Sequence, residues 1–191
     1  MRHRIGVVVG ILVIGCSATA VADSGARRFG VMAGAGVPDG TSASAVYRPL
    51  SAVRLNAGMA YNFIGMGVSG GLTVVPFKTW FTPTLSLDAG RYFEGDANPL
   101  AQMVSGDPTF SSTMLEKVGY DYANAHLGLE FGREWATFFI HAGMSRVAGA
   151  VNGFALEATA AGDGEVTFTE DPTVALWTVS ARLGLIVYLV Q

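Results

Sequence analysis

Apolar and polar residues alternate with a period of two along most of this chain. From Val53 to Phe63 every second residue is apolar, and Arg54 and Asn56 are among the residues between them. A period of two is typical of a β-strand, in which successive side chains point to opposite faces. The alternation changes parity and resumes between residues 66 and 74. This shift predicts two strands that are joined by a tight turn near residues 62–65.

The same reading, applied to the whole chain, predicts eight strands. Their ranges are residues 28–37, 41–48, 53–63, 66–74, 84–93, 122–131, 137–145 and 177–189. Most are longer than the five or six residues that are typical of soluble domains, and they approach the roughly 9–11 tilted residues that cross a bilayer. Within lipid, β-strands must close into a barrel because every backbone N–H and C=O group needs a partner. The predicted fold is therefore all-β: an eight-stranded antiparallel up-and-down transmembrane β-barrel.

The predicted connections differ between the two ends of this barrel. Three short turns, at residues 49–51, 77–81 and 132–135, share one end. The other end has two short links, at residues 38–40 and 62–64, and two long ones, at residues 95–117 and 149–173. Transmembrane barrels have short periplasmic turns and longer outer loops, so we expect the long links to face outward.

The long links and the flanking strand tips carry many acidic residues, opposed only by Lys117 and Arg146. The acids are Glu94, Asp96, Asp107, Glu116, Asp121, Glu157, Asp163, Glu165, Glu170 and Asp171. Surface loops are normally polar, so this pattern predicts a solvated acidic outer surface. The acids do not have the spacing of an EF-hand loop, and we predict no metal site.

Composition separates this barrel from a bundle of membrane helices. Half of the residues are hydrophobic, yet 25 are glycine. Residues 55–77 carry no charge and are numerous enough for a membrane helix, but five of them are glycine, and each glycine costs a helix about 1 kcal/mol. On alternating strands, the glycines instead occupy a crowded inward face. The net charge of −3 offers no basic footprint for nucleic acid.

The N-terminus has the pattern of a secretory signal peptide. Arg2 and Arg4 precede a ten-residue apolar or glycine run at residues 5–14, and small residues follow at positions 20–22. This run is too short to span a bilayer, so we predict a signal peptide at residues 1–22 and a barrel domain at residues 23–191. Residues 13–16 offer an alternative, because they are similar to a lipoprotein motif that would be lipidated at Cys16.

The C-terminal segment, residues 182–189, matches the β-signal of bacterial outer-membrane proteins. Its key positions are Arg182, Gly184, Val187 and Leu189, although the chain ends at Gln191 without the usual terminal aromatic residue. Together with the signal peptide and the eight strands, this motif resembles the small OmpA-type or OmpX-type transmembrane barrels. The resemblance implies export to the bacterial outer membrane, contact with its lipids and recognition by the barrel assembly machinery. It leaves the oligomeric state open.

Six ionisable residues lie at positions that the alternation predicts to face inward. They are Arg54, Asp88, His126, Glu130, His141 and Arg182. Charges inside a narrow barrel must be paired or hydrated, because an isolated buried charge is very costly. Eight strands leave a lumen just wide enough for side chains, so we expect a structural polar network that plugs the barrel. The alternative is a narrow polar pore.

Catalytic motifs are weak in this sequence. Residues 67–71 fit the G-x-S-x-G pattern around Ser69, but that motif needs a strand-to-helix elbow and here lies within an alternating strand. We therefore predict no enzyme and no cofactor, and a structural or surface-interaction role through the two long acidic loops. A porin-like solute channel is the first alternative. An outer-membrane lipid-modifying hydrolase that uses Ser and His is the second, and a soluble lipocalin-like binder is the third.

Overall fold

The computed structural model of this chain describes residues 27–77, 79–112, 115–133, 135–151 and 173–190. The predicted signal peptide and Cys16 lie outside the described residues, as does most of the second long connection. The structure therefore bears on the barrel and on the first long connection.

The described residues form a closed barrel of eight antiparallel strands in chain order, which confirms the predicted up-and-down topology. Each strand pairs with the next, and the last closes the ring by pairing with the first. The strands are β1 (Phe29–Val37), β2 (Gly40–Leu50), β3 (Val53–Tyr61), β4 (Met66–Val74), β5 (Phe81–Gly95), β6 (Val118–Arg133), β7 (Ala136–Val151) and β8 (Thr173–Val190).

The barrel has two distinct ends. The terminal end holds the start of β1, the end of β8 and the connections β2–β3, β4–β5 and β6–β7. The loop end holds the connections β1–β2, β3–β4, β5–β6 and β7–β8. No helix in the described part of the chain is long and apolar enough to cross a bilayer.

The strands next to the long connections run further than the alternation predicted. Strand β7 extends to Val151 rather than to residue 145, and β8 begins at Thr173 rather than at residue 177. In these extensions the inward positions are apolar or glycine, such as Val147 and Leu176, so the contrast between the two faces disappears from the sequence. At the other end, β2 continues to Leu50, and its turn is shorter than predicted.

The first long connection contains a short helix that the alternation did not predict, α1 (Asn98–Ser105). Pro99 lies in its first turn, and Gly106 ends it with a left-handed φ of 71°. Proline at a helix start and glycine just after its end are ordinary helix boundaries, because proline lacks an N–H group and glycine has no Cβ. Eight residues are too few for a helical periodicity to stand out.

Burial follows the predicted alternation in the strands. Strand β5 alternates exposed and buried positions from Phe81 to Ala89, with Thr84, Ser86 and Asp88 buried. The interior also holds an apolar cluster near the terminal end, which the polar pattern did not reveal. Its members are Met32, Val46, Phe139, Ile186 and Tyr188.

Inward glycines make room for large polar side chains on neighbouring strands. Gly128 on β6 pairs with His141 on β7, and a Cβ at Gly128 would collide with the imidazole ring. Gly71 stands in the same relation to the Asp88 carboxylate. The abundance of glycine thus has a steric cause, because the wall must be thin wherever a long side chain crosses the lumen.

We predict that Gly128→Ala destabilises the barrel by about 1–3 kcal/mol, because the interior has no space for the added methyl group. The matched control is Gly70→Ala on the outward face, where a Cβ would come no closer than 3.5 Å to the Asn56 carbonyl oxygen. The midpoint of urea unfolding measures both variants. Equal stability of the two variants would contradict the steric role of Gly128.

Candidate functional site

All six predicted ionisable residues lie buried inside the barrel. The most exposed of them, Arg182, retains 8% of its surface, and Arg54 retains 2%. Their strands alternate regularly, so each side chain points inward because of its position in the sequence. The structure joins them in two cross-lumen ion pairs and two histidine contacts.

Arg54 and Glu130 form the first ion pair. Arg54 Nη1 donates to Glu130 Oε2 at 3.1 Å, and Nη2 donates to Oε1 in a second, close contact. The two residues lie on β3 and β6, which are not neighbours in the ring, so the pair crosses the lumen. The Tyr188 hydroxyl accepts from Arg54 at 3.3 Å and from Arg48 at 2.8 Å. A two-point arginine–carboxylate contact is among the stronger polar interactions in proteins.

Arg182 and Asp88 form the second pair, between β8 and β5. Arg182 Nη2 donates to Asp88 Oδ2 at 3.0 Å, and Nη1 donates to Oδ1 at 3.3 Å. Asn56 donates to the same carboxylate at 3.4 Å, and His126 Nδ1 lies 3.7 Å from Oδ2. Four strands therefore meet at one carboxylate near the middle of the lumen.

His141 lies between the two ion pairs. Its Nε2 is 3.9 Å from Glu130 Oε1 and 3.2 Å from the Thr84 hydroxyl, and its Nδ1 is 3.4 Å from the Ser86 hydroxyl. These contacts extend from β7 to β5 and β6. At this level, hydrogen-bonded side chains from three strands occupy the lumen.

A seventh charged residue, Asp39, joins the interior from the β1–β2 turn. It is only 3% exposed, and Asn124 Nδ2 donates to its two carboxylate oxygens at 2.9 and 3.0 Å. The Tyr92 hydroxyl donates to the Asp39 backbone carbonyl. Burial raises the pKa of Asp39 above its ordinary value, which the hydrogen bond from Asn124 partly offsets. The turn thus places the Asp39 side chain inside the lumen near the loop end.

The alternation gave no signal for Asp39, which follows the last residue of β1. Acids in short turns are normally exposed, because they cap local backbone N–H groups in contact with water. Its burial depends on Asn124 and Tyr92, which are 85 and 53 residues away in the sequence. Contacts between residues this far apart in the sequence form only when the strands close into the barrel.

Ser180, His126 and Asp88 lie in line, as the members of a hydrolase triad do. Ser180 Oγ is 2.8 Å from His126 Nε2, but the hydroxyl donates to the Val37 carbonyl at 2.9 Å. A nucleophilic serine must instead give its proton to the imidazole. Ser180 is also fully buried. In this geometry the serine proton is directed away from the imidazole, and Ser69 lies within β4, as the sequence predicted.

The residues of the proposed assembly signal all lie on β8. Arg182 and Gly184 are buried in the interior, and Leu189 is exposed on the outer wall, with Val187 partly buried on the same side. Gly184 is required by close packing, because a Cβ there would lie 2.6 Å from the Phe139 ring. The alternation of this motif thus places its apolar positions outside and its arginine inside.

Half of the acidic residues assigned to the outer surface are described by the structure. Glu94, Asp96, Asp107, Glu116 and Asp121 are all exposed at the loop end, and Asp121 lies 3.8 Å from Arg91. The other five lie in the second long connection, outside the described residues. Within the described ranges, no group of three or more His, Cys, Asp or Glu residues could hold a metal ion.

The fold and the interior together define a closed eight-stranded β-barrel with a polar, ion-paired lumen. Comparisons with protein-family models, curated protein sequences and solved structures found no match for this chain. Its function must therefore be inferred from the geometry of the barrel itself.

We predict that removing either partner of the Arg54–Glu130 pair destabilises the barrel by about 3–5 kcal/mol, because the remaining charge stays buried without its counter-ion. The variants Arg54→Met and Glu130→Leu are each compared with the double variant by urea unfolding. The double variant should regain most of the lost stability, since no buried charge is left unpaired.

The control for this cycle is Arg91→Ala at the pair with Asp121, in which the side chain of Arg91 is 70% exposed. Exposed ion pairs contribute about 1 kcal/mol or less, so this variant should unfold close to the wild-type midpoint. A double Arg54→Met/Glu130→Leu variant as unstable as the sum of its single variants would show that the two charges are not coupled.

Proposed function

We propose that this chain is an integral β-barrel of the bacterial outer membrane, with a lumen closed by its own side chains. Its role is structural or lies in surface interactions at the loop end. The proposal depends on membrane insertion, and the residues on the outward face of the barrel support insertion.

Large apolar side chains cover the outward face on all eight strands. Prominent examples, in strand order, are Val31, Tyr47, Met59, Met66, Leu87, Leu127, Ile140 and Leu185. Soluble proteins rarely expose a contiguous apolar patch of more than a few hundred Å². A soluble lipocalin-like binder would have the reverse arrangement, with a polar exterior and an apolar lumen, so this observation favours the membrane barrel over that alternative.

The contacts inside the lumen favour a closed barrel over a solute channel. The pairs Arg54–Glu130 and Arg182–Asp88 each connect strands that are three positions apart in the ring, so their side chains cross the interior. Near the loop end, the β1–β2 turn places the Asp39 side chain inside the lumen. A conducting pore of this width would need these charges to line the wall and leave the axis free.

The exposed acids lie around the loop end, where the long connections begin and end. With the lumen closed, this surface is the part of the molecule that other molecules can reach from outside. A lipid-modifying hydrolase is less well supported, because Ser180 and His126 are buried and the serine proton is directed to a backbone carbonyl.

Membrane insertion predicts a strong effect for a charge on the outward face. Leu127 is 73% exposed on β6, so Leu127→Arg should not change the stability of a soluble barrel. In a bilayer the same change should cost about 2–4 kcal/mol near the midplane. The measurement is urea unfolding from lipid vesicles, together with flotation of the vesicles. The control is Met103→Arg on α1, which should be close to neutral.

Recovery of the wild-type protein in the soluble fraction, or equal stability of these two variants in vesicles, would contradict membrane insertion.

A closed lumen predicts that the purified protein in planar bilayers gives no regular conductance steps. The variant Arg54→Ser/Glu130→Ser/Asp88→Ser/Arg182→Ser, which removes all four side chains that cross the lumen, serves as the positive control and should give small steps. Regular steps from the wild-type protein would favour the channel function instead.

A further inference from the structure

Strands β6, β7 and β8 continue past the end of β1 at the loop end, and β5 pairs with β6 as far as Gly95, opposite Val118. β8 pairs with β1 only from Ala181 onward, opposite Val37, and its residues 173–180 pair with β7. Strand β6 begins at Val118 and β7 ends at Val151, and these two residues pair with each other. We call the matched residues 118–122, 147–151 and 173–176 the overhang.

The inward face of the overhang carries no charged residue and is mostly apolar, with the hydroxyls of Tyr120 and Tyr122 as its polar groups, although it continues the polar stripes of the lumen. On β8, the inward positions change from Arg182, Ser180 and Thr178 to Leu176 and Val174. On β7, they change from Ser145 to Val147. The charged side chains of the lumen therefore do not continue into the overhang, and a lining without charges begins there.

The overhang and the short turns at the loop end line a cavity of about 500 Å³ that is open to the outside. Opposite the overhang lie Pro38 of the β1–β2 turn, Phe63 and Ile64 of the β3–β4 turn, and Leu100 of α1. Sites that bind small molecules typically measure about 300–1,000 Å³ and are lined mainly by apolar groups. The size and lining of this cavity fit that class.

No charged residue lines the cavity, and two of its polar side chains are engaged with the protein itself. Asn62 donates to the Tyr120 hydroxyl, and its side-chain oxygen accepts from the backbone N–H groups of Ile64 and Gly65 at 2.9 and 3.0 Å. An ionic ligand would therefore lose its hydration without finding a counter-charge. The exposed acids around the loop end would also repel an anion.

We propose that this cavity binds a neutral, hydrocarbon-rich molecule, such as a single-chain amphiphile with an uncharged head. Apolar contact with the overhang and with the turn residues provides the affinity, and the Tyr120 hydroxyl, which accepts from Asn62, has its own proton to donate to an uncharged polar head. The edge of β8 above β1, residues 173–180, has no strand partner on that side among the described residues, and it gives a lateral route to the cavity. Only this route, from surrounding lipid, rests on the proposed membrane location.

The test uses a hexadecanol analogue that carries a diazirine. The refolded chain is irradiated with this probe in lipid nanodiscs, or in buffer if flotation shows that it does not insert. Failure of insertion and failure of binding are thus recorded separately. Peptide mapping by mass spectrometry locates the labelled residues, and excess unmodified hexadecanol separates saturable labelling from labelling by bulk lipid. We expect saturable labelling on the overhang and on the β3–β4 turn.

The variant Leu176→Trp fills the cavity and should abolish the saturable labelling. Leu176 is 49% exposed, so this change does not disturb the lumen. The control, Ala175→Trp, is on the outward face of the same strand and should label as the wild type does. Heat-modifiable migration in gels verifies that both variants are folded.

Labelling that excess hexadecanol does not reduce would overturn the proposal, as would equal labelling of the two variants. A cavity that is occupied by another part of the chain would give no saturable labelling, and it would overturn the proposal in the same way.

Discussion

The narrow lumen is the constraint on which the rest of this structure depends. Eight strands enclose only enough space for side chains, so every inward residue must match the residues across the barrel. The ion pairs Arg54–Glu130 and Arg182–Asp88 satisfy the four charges that the ring would otherwise bury alone. Because these side chains are long, the wall next to them must be thin, and glycines such as Gly71 and Gly128 occupy those positions.

The same constraint divides the molecule into two chemical surfaces. Buried polar groups find partners inside, where the opposite wall is close, and the outward face carries apolar side chains on every strand. A barrel of this kind has no large internal apolar core of the sort that stabilises soluble domains. Its internal apolar contacts are limited to small clusters, such as Met32, Phe139 and Ile186 near the terminal end. Burial of the outward face therefore requires an apolar environment outside the protein.

The strand number, the topology and the inward position of the six ionisable residues could be predicted from the sequence, because a period of two assigns each residue to a face. The pairing could not. Arg54 and Glu130 are 76 residues apart, and their contact depends on how the ring closes rather than on any local pattern. Asp39 was missed for a related reason, since a turn has no periodicity and its inward direction depends on Asn124 and Tyr92. Helix α1 is too short for its apolar positions to stand out from a loop.

The change of inward residues along β8 explains how one barrel can have a lumen filled by polar side chains and also a cavity at its loop end. From the terminal end, its inward residues run from Tyr188 through Arg182 and Ser180 to Leu176. Where the opposite strands are present, polar side chains reach partners across the lumen and fill it. Beyond the end of β1, β8 has no strand partner on that side among the described residues, and no charged residue lines the cavity, so a charge at Leu176 or Val174 would have no counter-ion in that lining. The unequal strand lengths therefore account for the apolar lining at the loop end, and the space left there is a cavity rather than a continuation of the plug.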